Sequence, residues 1–208
     1  MTLKSTNRVT TLLMLLALSA SVSALWPAAP ARAQTALAIV GDPAPDFALT
    51  GIDGRKVSLS EFAGKFVVLE WWGSECYTIK THYKAGTMQG AQKRARADGA
   101  VWLSIDSTHP GHSGFLSARQ SAEMLKKWNG AQNAMLQDPD GRVGRLYGAS
   151  VTPHTVVIDP KGRLIYAGAI DDDRSMRDVG KARNLALAAI GEARAGKPVS
   201  RPVTKAYG

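Results

Sequence analysis

Cysteine is nearly absent from this 208-residue chain, in which Cys76 is the only example. A single thiol excludes an intramolecular disulfide, and therefore a small scaffold held together by disulfide bonds. It also excludes a zinc or iron–sulfur site built from several thiolates of this chain alone. The fold must instead be stabilised by a hydrophobic core. A content of 45% hydrophobic residues in a chain of this length is enough for one well-buried domain.

Acidic residues are in the minority, with 17 Asp and Glu against 26 Lys and Arg. Three of the basic residues and none of the acidic ones lie in residues 1–33, so the remainder carries 23 basic and 17 acidic residues, a net charge of +6. These basic residues are scattered except for the run at 93–96, which is typical of a solvated helix face. The charge pattern therefore does not indicate a nucleic-acid partner.

Long apolar runs are also missing, apart from one near the start of the chain. Residues 1–33 combine a basic start, an uncharged and largely apolar run at 11–25 and the sequence Ala-Arg-Ala at 31–33, which together predict a secretory signal cleaved before Gln34. The apolar run is shorter than the roughly 20 residues of a membrane-spanning helix, which disfavours an uncleaved anchor. We expect a periplasmic or secreted protein without stable membrane insertion after signal removal.

The rest of the chain predicts one α/β domain over residues 46–195, preceded by a lead-in at 34–45 and followed by a loose tail at 196–208. A Gly-rich turn at 51–54 between two short apolar segments predicts an N-terminal β-hairpin. A capping-box pattern follows directly and predicts a short helical turn. No internal repeat is present in the sequence.

Residues 66–72 are too continuously apolar for a half-exposed strand and predict a central strand that is covered on both faces. The composition then turns helical up to about residue 98, with a break near Gly86, and residues 100–105 supply a second apolar strand. Strand, helix and strand form a right-handed βαβ unit, so we expect these two strands to be parallel.

Later elements are predicted by caps, periodicity and turn residues. A capping pattern at Ser117 indicates the start of a helix, and residues 138–141 form a turn. A tight connection joins strands at 155–158 and 164–169, which predicts an antiparallel pair. An apolar stripe over residues 179–193 predicts a final helix.

Cys76 follows the predicted central strand by four residues and stands at the start of the predicted helix. Backbone N–H groups and the helix dipole favour negative charge at this position, which raises the thiolate fraction of a cysteine. The preceding residues 73–75 are turn residues rather than core residues. A reactive thiol is therefore one interpretation, and a buried, inert cysteine is the other.

Several short segments follow one another along the chain in an order that rarely arises by chance. Strand, turn, Cys76 and helix are followed later by Thr152-Pro153-His154 directly before a strand. This arrangement resembles the thioredoxin superfamily, and DPAPDF at 42–47 with DGRKVSL at 53–59 is similar to the entrance of its redoxin branch, the AhpC/TSA-related proteins. Further similarities to exported redoxin-domain proteins are LEWW at 69–72, His82-Tyr83, Tyr147-Gly148-Ala149 and YAGAID at 166–171.

The resemblance implies a thioredoxin-like, three-layer α/β fold, in which a central mixed β-sheet is flanked by helices and carries the N-terminal hairpin as an extension. It implies a cis bond at Pro153, in a loop that faces the active thiol, and backbone groups of Thr152 that pair with an extended thiol substrate. Cys76 is then the nucleophile, and Tyr77, Thr152 and Pro153 are the substrate-binding residues of one cleft.

Two departures from the family patterns restrict the chemistry. Ile79 occupies the position of the second thiol in the C-x-x-C of thioredoxins, so the chain cannot act as an ordinary dithiol reductase. Leu69 and Gly73 occupy the positions of Pro and Thr in the P-x-x-x-T-x-x-C of typical peroxiredoxins. A one-cysteine thiol remains, which attacks a peroxide or a disulfide and needs an external thiol to recycle it.

The four histidines are candidates for further roles. His154 is the stronger candidate for a catalytic base because Pro153 beside it should face the cleft, although strand alternation could equally turn the ring away. His82 lies about two turns into the first helix and is interpreted as structural. His109 and His112 are expected in a solvated loop, with weak metal binding as the alternative.

The leading hypothesis is an exported thiol oxidoreductase of the redoxin type, without a cofactor or a bound metal. Its expected partners are an external thiol reductant or a thiol/disulfide protein substrate, and its expected role is antioxidant defence and cell redox homeostasis. Two alternatives stay open. One is a non-catalytic thioredoxin-fold binding module with a vestigial cysteine, and the other is weak copper binding through Cys76 and His154.

Overall fold

The computed structural model describes residues 37–208, and the predicted secretory signal at 1–33 lies outside the described residues. The strands and helices of the described part are β1 (Ala48–Gly51), β2 (Lys56–Ser58), β3 (Val67–Trp72), α1 (Tyr77–Ala85), α2 (Thr87–Ala97), β4 (Val101–Asp106), α3 (Ala118–Lys127), β5 (Ala134–Gln137), α4 (Arg142–Leu146), β6 (His154–Ile158), β7 (Leu164–Gly168) and α5 (Leu185–Arg194). A 3₁₀ turn at Leu59–Phe62 follows β2. Within residues 37–208, no helix has the length and apolar character needed to cross a membrane.

The described strands form one mixed sheet in the order β2-β1-β5-β4-β3-β6-β7. β3 is parallel to β4, and β4 is parallel to β5, whereas β6 pairs antiparallel with both β3 and β7. The predicted βαβ unit and the predicted late antiparallel pair are therefore confirmed. The N-terminal hairpin of β1 and β2 joins the same sheet through β5. Helices on both faces complete the predicted three-layer α/β architecture.

All six residues of β3 are buried, as its continuous apolar sequence predicts. Alternation along the strand directs Val68 and Trp72 into a first hydrophobic core, and Leu69 and Trp71 into a second core on the opposite face of the sheet. Helices α1, α2 and α5 cover the first core, while α4 and the N-terminal hairpin cover the second. A strand enclosed in this way holds its carboxyl end, and the turn that follows it, in a fixed position.

Local sequence signals set several helix boundaries as predicted. α1 ends at Gly86, whose φ of +78° lies in the left-handed region that favours glycine, and α2 begins directly after it. Capping boxes are present at Ser58 and Ser117. The side chain of Ser117 accepts the backbone N–H of Gln120, which satisfies one of the unpaired donors at the start of α3.

Two predictions of secondary structure are wrong. The sequence predicts only a turn at 138–141, whereas the structure has β5 before this turn and α4 after it. Both elements are too short to show a periodic pattern. The apolar stripe predicts a final helix from Val179, but α5 begins at Leu185 because the side chain of Asn184 caps the helix and accepts the N–H of Leu187 at 2.9 Å.

Residues 196–208, called the return segment below, are not the loose tail that the sequence predicts. Val203 forms a β-bridge with Ala167 in β7, and the N–H of Thr204 donates to the carbonyl of Ala167 at 3.0 Å. Tyr207 is buried in the first hydrophobic core. The return segment therefore packs along the sheet and comes back toward the carboxyl end of β3.

The central strand also carries a buried carboxyl group. Glu70 is fully buried, and its Oε2 accepts the indole N–H of Trp102 at 3.0 Å and the hydroxyl of Ser104 at 2.8 Å. Burial raises the pKa of Glu70 from 4.5 to about 7, and the hydrogen bonds from these donors oppose that shift only in part. The carboxyl group is therefore largely protonated in the folded chain below pH 7.

Replacing Glu70 by Gln should remove a pH-dependent loss of stability. Between pH 4.5 and 7 the folded chain keeps a proton on Glu70 that the unfolded chain releases, so this residue lowers the free energy of unfolding by about 3 kcal/mol as the pH rises through this window. Urea unfolding of the wild-type chain and of Glu70→Gln at pH 4 and pH 8 isolates this contribution, because the other titrating groups, His154 among them, are common to both chains and cancel in the difference. Relative to the wild-type chain, Glu70→Gln should gain about 3 kcal/mol between pH 4 and pH 8, and the exposed control Glu123→Gln should gain nothing. The absence of a relative gain in Glu70→Gln would contradict the assignment.

Candidate active site

Cys76 caps the amino-terminal end of α1, directly after the turn that follows β3. Its backbone is extended, with φ −65° and ψ 121°. Its N–H donates to the carbonyl of Gly73 at 3.2 Å, and its carbonyl accepts the N–H of Lys80 at 3.0 Å. The side chain is half-buried. The predicted position is confirmed, and it holds the sulfur at a helix end that favours negative charge.

The sulfur of Cys76 contacts the loop that precedes β6. Its Sγ donates to the carbonyl oxygen of Thr152 at 2.8 Å, and the peptide bond between Thr152 and Pro153 is cis. Antiparallel pairing of β3 with β6, in which Trp71 lies opposite His154, brings these two distant segments together. The contact between the thiol and the cis-proline loop, which the family resemblance implies, is therefore present.

This close approach depends on the absence of a side chain at position 73. A Cβ on Gly73 would lie 3.3 Å from Oγ1 of Thr152 and 3.9 Å from the Cβ of Cys76. A larger side chain would push these two residues apart, because little space is left between them. Gly73 stands where typical peroxiredoxins have a Thr, and here it allows the thiol to reach the loop.

An open cavity of about 590 Å³ lies beside Cys76. Tyr77, which is 73% exposed, and Thr152 line it together with the thiol. Pro153 is itself buried and does not line the cavity. This volume falls in the range of small-molecule sites. Tyr77 and Thr152 are thus placed to touch a bound substrate, and that role remains a prediction.

His154 does not line this cavity. Its ring makes an edge contact with the ring of Trp71, with 5.8 Å between the centroids. Trp71 belongs to the second hydrophobic core, whereas Cys76 packs against the first. Burial lowers the pKa of His154 to about 4, so the ring is a weak base near neutral pH. The roles of catalytic base and copper ligand would require His154 to lie beside Cys76. The structure does not bring these two side chains together.

His109 and His112 line the cavity, although the sequence suggests only a solvated loop. Both rings are exposed and are oriented by the backbone, since Nδ1 of His109 accepts the N–H of Gly111 and Nδ1 of His112 accepts the N–H of Gly114, each at 3.0 Å. The neutral rings therefore carry their protons on Nε2. Both residues follow β4, and the shared carboxyl edge of parallel strands is the signal that could have placed them beside Cys76. In the part of the chain that the structure describes, no three His, Cys, Asp or Glu side chains are grouped to hold a metal ion.

His82 has a structural position. It is 1% exposed, its Nδ1 lies 2.8 Å from Oγ1 of Thr87, and its Nε2 lies 3.6 Å from Oδ2 of Asp171. Burial lowers the pKa of His82, and the negative charge of Asp171 opposes this shift. Asp171 also accepts a hydrogen bond from the hydroxyl of Tyr207. His82 thus connects α1 to the return segment and does not contact the thiol.

Two sequence neighbours of Cys76 affect its chemistry. The carboxylate of Glu75 lies 3.1 Å from the Nζ of Lys80, so its negative charge beside the sulfur is partly offset. Ile79, at the position of the second thiol of a C-x-x-C sequence, is completely buried in the first hydrophobic core. Helix α1 therefore offers one thiol to a substrate.

The fold and the site together define a class of protein. A mixed sheet with a cysteine at the start of the helix after its central strand, and a cis-proline loop in contact with the sulfur, is the arrangement of thioredoxin-fold thiol proteins. The sequence model of the AhpC/TSA family matches residues 40–167, which is more than half of the chain. The chain belongs to the AhpC/TSA family.

Individual proteins of similar sequence are redox proteins. The chain is 27% identical over 125 residues to the thiol-disulfide oxidoreductase ResA of Bacillus subtilis, a match that covers 60% of this chain and 64% of that protein. It is 26% identical over 165 residues to the thiol:disulfide interchange protein DsbE of Xylella fastidiosa, covering 77% of this chain and 75% of that protein. The crystal structure of a hypothetical protein from Sinorhizobium meliloti shares the fold, with a TM-score of 0.68 and 22% identity over 81% of this chain and 90% of that chain.

Replacing His154 by Phe should change the acid stability of the chain but not its thiol chemistry. As the pH falls from 6.5 to 4, His154 of the unfolded chain binds a proton that the folded chain does not, so this residue lowers the free energy of unfolding by about 3 kcal/mol. The Phe ring keeps the contact with Trp71 and cannot be protonated. Urea unfolding of both chains at pH 7 and pH 4 should therefore show that His154→Phe gains about 3 kcal/mol relative to the wild-type chain as the pH falls, because the contributions of the other titrating groups, Glu70 among them, cancel in this difference.

The same variant tests the proposed separation of His154 from the thiol. The rate at which iodoacetamide alkylates Cys76 should have the same pH dependence in His154→Phe and in the wild-type chain, because the ring and the sulfur do not interact. A shifted profile in His154→Phe would show that the histidine acts on the thiol and would contradict the geometry given above.

Proposed function

We propose that this chain is an exported thiol oxidoreductase of the one-cysteine type, in which the thiolate of Cys76 is the nucleophile. The observation that carries the proposal is the position of its Sγ, which lies at the start of α1, in the wall of an open cavity and 2.8 Å from the carbonyl of Thr152. Inert free cysteines are usually enclosed by apolar side chains. This one is half-buried and can be reached by a substrate.

With a disulfide substrate, the reaction begins with one thiol–disulfide exchange. The thiol releases its proton to solvent, and the N–H groups at the start of α1 stabilise the negative charge on the sulfur. The thiolate attacks one substrate sulfur, so that a bond forms between Cys76 and the substrate while the substrate S–S bond breaks. The second substrate sulfur leaves as a thiolate with the electron pair of the broken bond. The hydrogen bond to Thr152 holds the protonated thiol in place before this step.

A second molecule must then resolve the mixed disulfide. Cys76 is the only cysteine of the chain, and Ile79 fills the place of a second thiol in the helix. The thiolate of an external partner attacks the substrate sulfur, forms a new disulfide with it and expels Cys76 as a thiolate. The partner is therefore a small thiol reductant or a reduced thiol protein.

A disulfide is the preferred oxidant because the curated relatives described above are a thiol-disulfide oxidoreductase and a thiol:disulfide interchange protein. A peroxide is the second candidate, supported by membership of the AhpC/TSA family. In that reaction the thiolate attacks one oxygen of the peroxide, the O–O bond breaks, the other oxygen leaves as hydroxide or alkoxide and takes up a proton from water, and a sulfenic acid forms on Cys76. One external thiol condenses with the sulfenic acid to a mixed disulfide and water, and a second external thiol then releases Cys76 as a thiolate. Leu69 and Gly73 supply no hydroxyl to hold the peroxide, so we expect this reaction to be slower.

The proposed location is the periplasm or the exterior of the cell. Its support is the sequence of residues 1–33, with a basic start, an apolar run and a small-residue cleavage site. Disulfides persist in such oxidising compartments, which therefore contain the proposed substrates. A thiol that exchanges with them would contribute to redox homeostasis there.

The reduced protein should react with hydroxyethyl disulfide about tenfold faster than free cysteine at the same pH, because the start of α1 stabilises negative charge on the attacking sulfur and the open cavity admits the substrate. Stopped-flow measurement of the rate constant tests this, with hydrogen peroxide as a second oxidant and Cys76→Ser as the inactive control. A rate no faster than that of free cysteine with either oxidant would exclude the catalytic proposal. If Cys76→Ser captures partners as tightly as the wild-type chain does, a non-catalytic binding module is favoured instead.

A further inference from the structure

The return segment reaches the same loop residue that contacts the thiol. Gly208 lies in the wall of the cavity together with Cys76, and its backbone packs against Thr152. A side chain at position 208 would overlap the carbonyl oxygen of Thr152, so the segment can lie this close only because the residue is glycine. The backbone of Thr152 is thus contacted by the sulfur and covered by the return segment.

Two anchors fix the return segment before it reaches the cavity. The hydroxyl of Thr204 accepts the N–H of Ala169 at 2.9 Å and lies 2.6 Å from the hydroxyl of Tyr166. The ring of Tyr207 is buried in the first core, and its hydroxyl donates to the carboxylate of Asp171. Because the residue directly before Gly208 is a buried aromatic, the position of Gly208 is set by the folded core.

An extended polypeptide needs free backbone groups beside the thiol. Peptides that bind as an added strand gain their affinity from N–H and C=O groups at an exposed edge. The loop at 149–152 supplies the backbone next to Cys76, and the carbonyl of Thr152 in this loop accepts the hydrogen bond from the thiol. A polypeptide cannot lie along Thr152 while Gly208 occupies the same space.

A small ligand does not need free backbone groups beside the thiol. The cavity keeps a volume of about 590 Å³ with Gly208 in its wall, which is enough for a small molecule. Its other walls carry the exposed ring of Tyr77 and the Nε2–H donors of His109 and His112. A disulfide of low molecular weight can therefore approach the sulfur from the open side of the cavity.

We propose that the return segment determines substrate specificity by restricting Cys76 to low-molecular-weight disulfides and excluding extended polypeptides. This inference rests on the proposed function, because it concerns the oxidised substrate of the same thiol. Gly208 is the residue that covers Thr152, and Tyr207 and Thr204 hold it there. The reacting bonds are those of the exchange described above, and only the size of the group attached to the substrate sulfur is restricted.

Two probes with the same leaving group test the inference. Both are mixed disulfides of 2-nitro-5-thiobenzoate, one with 2-mercaptoethanol and one with an extended decapeptide that carries a central cysteine. Attack by Cys76 on the attached sulfur releases the coloured thionitrobenzoate, whose low pKa makes it the better leaving group. After normalisation to free cysteine, the wild-type chain should react with the small probe about tenfold faster than with the peptide probe.

Removal of Gly208 should raise the rate with the peptide probe about tenfold relative to the rate with the small probe. Gly191→Ala is the matched control, since a Cβ added at this position in α5 meets no other atom, and both of its rates should equal those of the wild-type chain. An unchanged peptide rate after removal of Gly208, or equal normalised rates of the wild-type chain with both probes, would overturn the inference. A different result would exclude the proposed function, namely a rate with the small probe that is no faster than that of free cysteine.

Discussion

The contact between the Cys76 thiol and the Thr152 carbonyl depends on the antiparallel pairing of β3 with β6. In this register Trp71 lies opposite His154, so the turn after β3 and the loop before β6 meet at the same end of the sheet. A slip of one residue would move every side chain of one strand to the other face, and the thiol and the loop would no longer meet. The two hydrophobic cores enclose β3 and so stabilise the register on which the site depends.

The two faces of the sheet also separate the side chains that lie near Cys76. Asp171 lies 3.6 Å from His82 in α1 and accepts a hydrogen bond from Tyr207 in the return segment. One buried carboxylate therefore connects the helix that begins at the thiol with the segment that covers the adjacent loop. His154 packs toward the other core, so its low pKa affects stability rather than the chemistry of the sulfur. The reactivity proposed for Cys76 thus depends on the helix terminus and on the backbone.

The central strand, the βαβ unit and the place of Cys76 could be predicted from the sequence because long apolar runs and capping residues are local signals. The face of the sheet to which His154 points could not be predicted, since the alternation of side chains along a strand allows either face until the register is known. His109 and His112 look like an ordinary loop in the sequence, and only the order of the strands places them beside the thiol. The return segment contains no periodic pattern, and the contacts of Val203 and Thr204 that join it to the sheet are made with residues distant in the sequence.

The most direct measurement of the central claim is the rate of alkylation of Cys76 by iodoacetamide at pH 7, in the folded chain and in the same chain unfolded in urea. Since the unfolded chain has the same thiol without its surroundings, the ratio of the two rates reports what the fold does to the sulfur. A reactive thiol at the start of α1, open to the cavity, predicts faster alkylation in the folded chain. Slower alkylation in the folded chain than in the unfolded chain would contradict the account.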